Sequence, residues 1–284
     1  MKENQPSATA QRVAMQRAAH QLIDNPKVFD DPIALRIIGS EGGLALKADP
    51  NQSQAMPFST YVRALVAARS RYTEDELALA VQRGVCQYVI LGAGLDTFAY
   101  RNPFPEGTLR VFEVDHPATQ GWKRMRLKEA GITLPRDLTF APVDFESQTI
   151  ADGLLEAGYD PGKRTFFSWL GVTFYLTIEA VMTTLRFVAT TPVGSGVVFD
   201  YAISPSLQTE DERVIFDAVA ELAASFGEPF QAFFDPESLT RDLRSIGFRD
   251  VKDVGHEEIN EKYFKNRTDN FRVGSLARLI SAQV

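Results

Sequence analysis

Apolar positions recur with helical spacing over the first eighty residues and then gather into short runs. From Thr9 onward, Val13, Arg17 and His20 with Ala14, Ala18 and Leu22 predict a helix that ends before Asn25-Pro26. Asp31-Pro32 interrupts the chain, and Leu35, Ile37 and Ile38 form a second short apolar piece. Gly42-Gly43 and Met56-Pro57 frame an expected loop ahead of a helix over about 61–83. From Tyr88 the texture changes. Short apolar runs at 88–91, 109–114, 138–143, 165–169 and 196–201 read as strands buried on both faces. Amphipathic stretches at 118–130, with Pro117 in the first turn, 150–157 and 178–189 read as the helices between them. The segment 210–226 carries Val214, Ile215, Ala218, Val219 and Leu222 at helical spacing and fits a lid or crossover helix. Asp235-Pro236-Glu237 starts a further helix that stops at Gly247, and 248–254 and 275–280 supply two last strands. The pattern predicts an α/β fold with a seven-stranded, mostly parallel, doubly wound sheet. No repeat and no long linker divides it. We therefore expect a single domain over 1–284, with a helical cap over 1–60, a core over 61–284 and a lid insertion near 203–235.

Composition narrows the function classes. A formal charge of −7 gives no general attraction to phosphate backbones, so no nucleic-acid partner is expected. One cysteine, Cys86, can form neither an internal disulfide nor a thiolate zinc site, so it reads as core, in a reducing compartment, and no metal is expected. Met1 to Ala10 carries no basic leader or apolar run, and no later stretch approaches the roughly 20 apolar residues that span a bilayer. The expectation is a cytoplasmic protein without a membrane partner.

Candidate chemistry begins at Leu91-Gly92-Ala93-Gly94-Leu95-Asp96-Thr97, directly after a strand-like run. Two glycines let the backbone turn tightly and approach a nucleotide closely, although the same bend also serves as an ordinary tight turn. Asp115 stands 23 residues after Gly92, at the end of the next strand, where a carboxylate can accept from both ribose hydroxyls or cap the following helix. Asp144-Phe145 follows the third strand, where a carboxylate could meet an adenine amino group, or again cap a helix.

Several segments, taken in order, resemble the leucine carboxyl methyltransferases and their bacterial relatives. They are Val13-Ala14-x-x-Arg17-Ala18, the run 89–97 with Tyr100-Arg101, Phe112-Glu113-Val114-Asp115 with Pro117, Trp169-Leu170-Gly171-Val172-Thr173-x-Tyr175-Leu176-Thr177, and Gly227-Glu228-Pro229-Phe230. The resemblance spans roughly 11–248 and implies a Rossmann-like class I methyltransferase that uses S-adenosyl-L-methionine. It implies that Gly92, Ala93 and Gly94 lie against the methionine half of the cofactor and that Asp115, beside His116, holds the ribose. Asp144 and Phe145 would frame the adenine, with Trp169 and Leu170 in the strand end bordering the cofactor. An arginine before the first strand should meet the cofactor carboxylate. Arg69 and Arg71 both lie in that stretch, and Arg69 is the choice, since a guanidinium donates two parallel hydrogen bonds to a carboxylate. Two positions depart from the pattern: Leu170 stands where many relatives carry glutamate, and Phe98 where many bacterial ones carry arginine. Both make the pocket more apolar.

Methyl transfer from a sulfonium is an in-line displacement, so the protein chiefly aligns the reactants and keeps them dry. A carboxylate acceptor needs no base; a hydroxyl calls for one. His20, His116 and His256 fit surface or capping roles better than catalysis, so no catalytic residue is assigned. Tyr175 and Tyr201 follow strands at the ligand-binding end of such sheets and are candidates for the acceptor pocket. Glu113 shares a strand face with Asp115 and requires a partner if buried, while Lys123-Arg124-x-Arg126-x-Lys128 reads as a solvated helix face. The expected partner is a small, largely apolar acceptor methylated on a carboxylate or hydroxyl. The competing readings are an NAD(P)-dependent oxidoreductase, which the missing third glycine disfavours, and a cofactor-binding protein without turnover. The sequence does not predict an oligomeric state.

Overall fold

The computed structural model of the chain describes residues 7–50, 58–144 and 148–284. Four helices come first: α1 (Ala8–Ile23), α2 (Ala34–Ile37), α3 (Ser40–Ala48) and α4 (Ser59–Gln82). Then β1 (Gln87–Leu91), β2 (Arg110–Asp115), α5 (Pro117–Glu129), β3 (Leu138–Pro142), α6 (Ile150–Glu156), β4 (Thr165–Trp169), α7 (Ile178–Ala189) and β5 (Gly196–Ala202) alternate. The chain closes with α8 (Glu210–Ser225), α9 (Pro236–Ser245), β6 (Asp250–Val254), α10 (His256–Tyr263) and β7 (Ala277–Gln283).

The strands form one seven-stranded sheet in the order β3-β2-β1-β4-β5-β7-β6. The first five pair in parallel, and β7 runs antiparallel to both β5 and β6. The chain leaves β1 toward β2 on one side and returns to β4 on the other, so the strand order reverses between β1 and β4. Ligands bind outside the carboxyl ends of the strands at such a reversal.

Strand periodicity divides the core. Val89, Leu91, Phe112, Val114, Phe167, Trp169, Phe199 and Tyr201 face one side, where Leu154 of α6, Leu185 of α7 and Leu243 of α9 pack on them. Tyr88, Ile90, Val111, Phe166 and Val198 face the other, against Ala68 and Tyr72 of α4 and Ile259 of α10. A third cluster joins Ala14 and Ala18 of α1, Ile37, Leu46 and Leu127, fastening the N-terminal helices to α5.

Local chemistry fixes the helix ends. Ser7 accepts from Ala10 N at 3.1 Å to start α1, and Thr209 and Glu212 form a reciprocal capping box at α8. Asp235 caps α9 through Ser238 N at 2.8 Å.

Several expectations require correction. Gly42-Gly43 lies inside α3 rather than in a loop, because α3 packs closely on α2: a Cβ on Gly43 would sit 2.8 Å from the Leu35 carbonyl oxygen. The other end of that expected loop, Met56-Pro57, falls outside the described residues. Helix α10 was not anticipated, since its sequence is polar and buries only Ile259. Strand β6 begins at Asp250, two residues later than expected, after the turn at Gly247-Phe248. Cys86 is half-buried ahead of β1 rather than in the core.

Lys123 does not belong to a solvated face. It is 1% exposed and meets Glu113 at 2.7 Å, which supplies the partner the strand carboxylate requires. The Tyr100 hydroxyl also donates to Glu113, at 3.3 Å. Burial pushes the Glu113 carboxyl up to about 7, against the pull of Lys123.

Candidate active site

A cavity of about 720 Å³ opens at the carboxyl ends of β1, β2 and β4, where the strand order reverses. The bend after β1 forms its floor. Gly92 takes φ +65° and Gly94 φ +45°, and a Cβ on Gly92 would stand 2.4 Å from Val172 Cγ2. Only glycine satisfies both the dihedral and the close approach. Ala93 N donates to the Val114 carbonyl at 3.0 Å, strapping the bend to β2.

Asp115 completes this clasp. Its Oδ2 accepts from Gly94 N at 2.5 Å and its Oδ1 from His116 N at 2.7 Å. Burial raises the carboxyl above its ordinary range, and the two backbone donors pull it back. A carboxylate has about four acceptor positions, so Asp115 retains capacity toward the cavity that it lines.

The opposite wall rests on a buried ion pair. Arg69 Nη1 donates to Asp200 Oδ2 at 2.6 Å, and Asp200 Oδ1 accepts from Gly171 N at 2.6 Å. Thr173 Oγ1 donates to the Asp200 carbonyl at 2.5 Å. Arg69 is 5% exposed and Asp200 fully buried. Gly171, at φ +73°, admits the guanidinium: a Cβ there would lie 2.7 Å from Arg69 Nη2.

Two further pieces cover the cavity. The first turns of α1 contribute Thr9, Ala10 and Val13, and Arg17 reaches the Leu95 carbonyl at 2.5 Å while pairing with buried Asp31 at 2.9 Å. Asp31 also accepts from Thr97 Oγ1 at 2.7 Å, so the N-terminal helices grip the glycine bend directly. The loop after α8 contributes Gly227, Glu228, Pro229 and Gln231. Gln231 fastens that loop by donating from its backbone to the Phe174 carbonyl at 2.7 Å and from Nε2 to the Tyr175 carbonyl at 2.6 Å. The rings of Phe174, Tyr175 and Phe230 meet edge-on or tilted, with centroids 4.7–5.4 Å apart. Burial pushes the Tyr175 hydroxyl up to about 12, partly offset by its hydrogen bond with Thr9.

Arg69, Gly92, Ala93, Gly94, Asp115, His116, Asp144, Leu170 and Tyr175 thus gather around one cavity. His116 Nδ1 accepts from Ala118 N at 3.2 Å, capping α5 from the cavity edge. Phe145 lies outside the described residues. Trp169 and Tyr201 do not join this wall. Trp169 is buried on the far face of the sheet, and the Tyr201 hydroxyl donates to Asp253 of β6 at 2.9 Å. Their strand neighbours Ser168 and Asp200 face the cavity side instead: Ser168 lines it, and Asp200 holds Arg69. Sequence reasoning passed over both, although a polar residue inside an otherwise apolar strand was available as a signal. His20 is placed away from the site. Its Nε2 accepts from Val28 N at 3.1 Å and Phe29 N at 3.2 Å, so Nδ1 carries the proton toward Asp24, 2.7 Å away, which Arg63 also binds.

The leucine carboxyl methyltransferase family model matches residues 10–189 of the chain. The chain belongs to the leucine carboxyl methyltransferase family. Within it, the protein is 35% identical to a Bacillus subtilis (strain 168) protein named "Putative S-adenosyl-L-methionine-dependent methyltransferase YktD", over 95% of both chains. Two solved structures share the fold. The crystal structure of a protein named "putative methyltransferase" from Thermobifida fusca YX aligns with TM-score 0.55 at 14% identity, over 99% of this chain and 96% of the other. A DUF574 family protein from Streptomyces avermitilis aligns with TM-score 0.54 at 12% identity, over 98% of both. The protein is an S-adenosyl-L-methionine-dependent methyltransferase with a class I fold. Family membership decides against hydride transfer as the chemistry of the glycine bend. No described helix of the methyltransferase is long and apolar enough to cross a membrane.

The cavity suits that cofactor chemically. The glycine cradle leaves no room for side chains beneath it, Asp115 offers acceptors, Arg69 offers a cation, and Val13, Val172, Leu176 and Ala180 supply an apolar wall.

Proposed function

We propose that the methyltransferase transfers a methyl group to an oxygen, carboxylate or hydroxyl, of a small and largely apolar acceptor. The observation that carries the reading is the clasp of Gly94 N on Asp115 Oδ2 at the strand-order reversal, opening into a cavity with apolar walls. A volume of about 720 Å³ lies within the roughly 300–1,000 Å³ of ligand pockets. In this reading Asp115, with His116 at its side, accepts from the ribose hydroxyls, and Gly92, Ala93 and Gly94 lie beneath the methionine half. Asp144 meets the adenine, Leu170 borders the cofactor, and Arg69, oriented by Asp200, donates to the carboxylate.

The cofactor supplies a methyl group on a sulfonium, already activated for displacement. The chain's task is then alignment and exclusion of water. Helix α1 and the loop 227–231 close over the cavity from two sides, and Val172, Leu176 and Pro229 present apolar surface to an acceptor. Tyr175, with its hydroxyl pushed up to about 12, keeps its proton at neutral pH and can donate a hydrogen bond to an acceptor oxygen.

Calorimetry with S-adenosylhomocysteine tests the cofactor half. Asp115→Ala removes acceptors for two hydroxyls, each worth about 1.5–3 kcal/mol when the partner is charged, so affinity should fall at least about a hundredfold. Unchanged affinity at wild-type helicity would refute the assignment. A panel of apolar acids and phenols with radiolabelled cofactor tests the acceptor half. Label in esters or ethers supports it, and label only on nitrogen or sulfur overturns it.

A further inference from the structure

Glu228 stands at the start of the loop after α8, with its backbone N–H donating to the Ala223 carbonyl at 3.2 Å. It lines the cavity, yet its Oε2 has less than 1 Å² exposed and no hydrogen-bond donor. A buried carboxylate oxygen without a donor is costly, and a ligand donor would relieve it. Tyr175 and Arg69 line the same cavity, and Gln231 of the Glu228 loop donates to the Tyr175 carbonyl at 2.6 Å. The Glu228 and Arg69 charges act in opposite directions on the Tyr175 hydroxyl.

Two other carboxylates of the wall, Asp96 and Asp115, have backbone partners. Asp96 accepts from Phe98 N at 2.8 Å, and Asp115 from Gly94 and His116. The strand end beyond β4 carries Leu170, which offers no acceptor from its side chain. A guanidinium and a carboxylate with one oxygen lacking a donor, both on the wall of one cavity, complement a zwitterion, as found in the head group of an α-amino acid. We propose that Glu228 accepts hydrogen bonds from the α-ammonium of the cofactor's methionine moiety, opposite the carboxylate bound by Arg69. The inference rests on the cofactor placement argued above. It also gives the loop 227–231 a role in cofactor binding, since that loop brings Glu228 to the cavity.

The test compares two ligands by calorimetry on wild type and Glu228→Gln: S-adenosylhomocysteine and its desamino analogue, identical except that hydrogen replaces the amino group. Glu228→Gln should weaken S-adenosylhomocysteine about 10–100-fold, the range of one hydrogen bond to a charged group, and leave the desamino analogue within about twofold. The variant without ligand should melt within about 2 °C of wild type, as expected for a loop position outside the sheet core. Equal loss for both ligands, or no loss for either, overturns the inference. Asp115→Ala separates the two levels. If it abolishes binding while Glu228→Gln does not weaken it, only this inference fails. If it leaves binding intact, the cofactor placement fails with it.

Discussion

Asp200→Asn is the substitution from which the geometry predicts most. The wild-type carboxylate takes Arg69 Nη1 on one oxygen and Gly171 N on the other, each at 2.6 Å, and is fully buried. Asparagine preserves the shape but converts one of these acceptors into a donor. Whichever way the amide turns, an N–H then faces the guanidinium or the Gly171 N–H. Arg69, 5% exposed, also keeps its charge without its counter-ion. Removing one member of a buried pair costs about 3–5 kcal/mol. At roughly 2–4 °C per kcal/mol for a domain near this size, thermal unfolding should fall by roughly 6–20 °C. Because the pair is buried, the loss should persist at about 0.5 M salt. Adding Arg69→Met lets the amide oxygen turn toward Gly171 N with no charge left behind. The double variant should regain most of the stability while still failing to bind S-adenosylhomocysteine, because the cation is gone. A single variant melting within about 2 °C of wild type, or a double variant no more stable than the single, would refute the reasoning.

Gly92→Ala should keep the sheet but lose S-adenosylhomocysteine affinity more than about tenfold, because the new Cβ meets Val172 Cγ2 at 2.4 Å and φ +65° costs a non-glycine residue about 1–2 kcal/mol. Val172→Ala should relieve the clash but not the dihedral, so a full rescue or no loss at all, read by calorimetry, would contradict the account. The Glu113 carboxyl, ordinarily near 4.5, is pushed up to about 7 in the folded protein by burial. The native state therefore holds a proton that the unfolded chain releases, and this contribution falls as pH rises from about 4.5 through 7. Compared with Glu113→Gln combined with Lys123→Met, wild type should lose relative stability in urea titrations between pH 5 and 7.5; a pH-independent difference would exclude the effect.

The order of elements was legible because each strand of the parallel sheet is a short apolar run with turn chemistry at its ends. Pro117 after His116, Thr177 before α7 and Asp235-Pro236 before α9 mark helix starts that the structure retains. The glycine bend and Asp115 were legible for a related reason, since a spacing across two adjacent strands survives folding as a distance of 2.5 Å. What remained hidden depended on contacts distant in sequence. Lys123 looks like one of a run of surface cations, and only the packing of α5 on β2 reveals that it is buried against Glu113. Gly42-Gly43 looks like a break until the closeness of α2 and α3 shows that position 43 has no room for a side chain.

Facing was hidden for a different reason. Strands β4 and β5 are buried on both sides, so their apolar residues do not alternate with polar ones and carry no mark of which side meets the cavity. The conspicuous aromatics at the strand ends, Trp169 and Tyr201, point toward the far core, whereas Ser168 and Asp200, one residue earlier, point toward the cavity side. In a doubly buried strand the informative residue is therefore the polar one, because burying it without a partner would cost more than the strand gains. Applied to β5, that rule selects Asp200 and demands a buried donor. The guanidinium that answers lies 131 positions earlier in the chain, on α4, where Arg69 is buried.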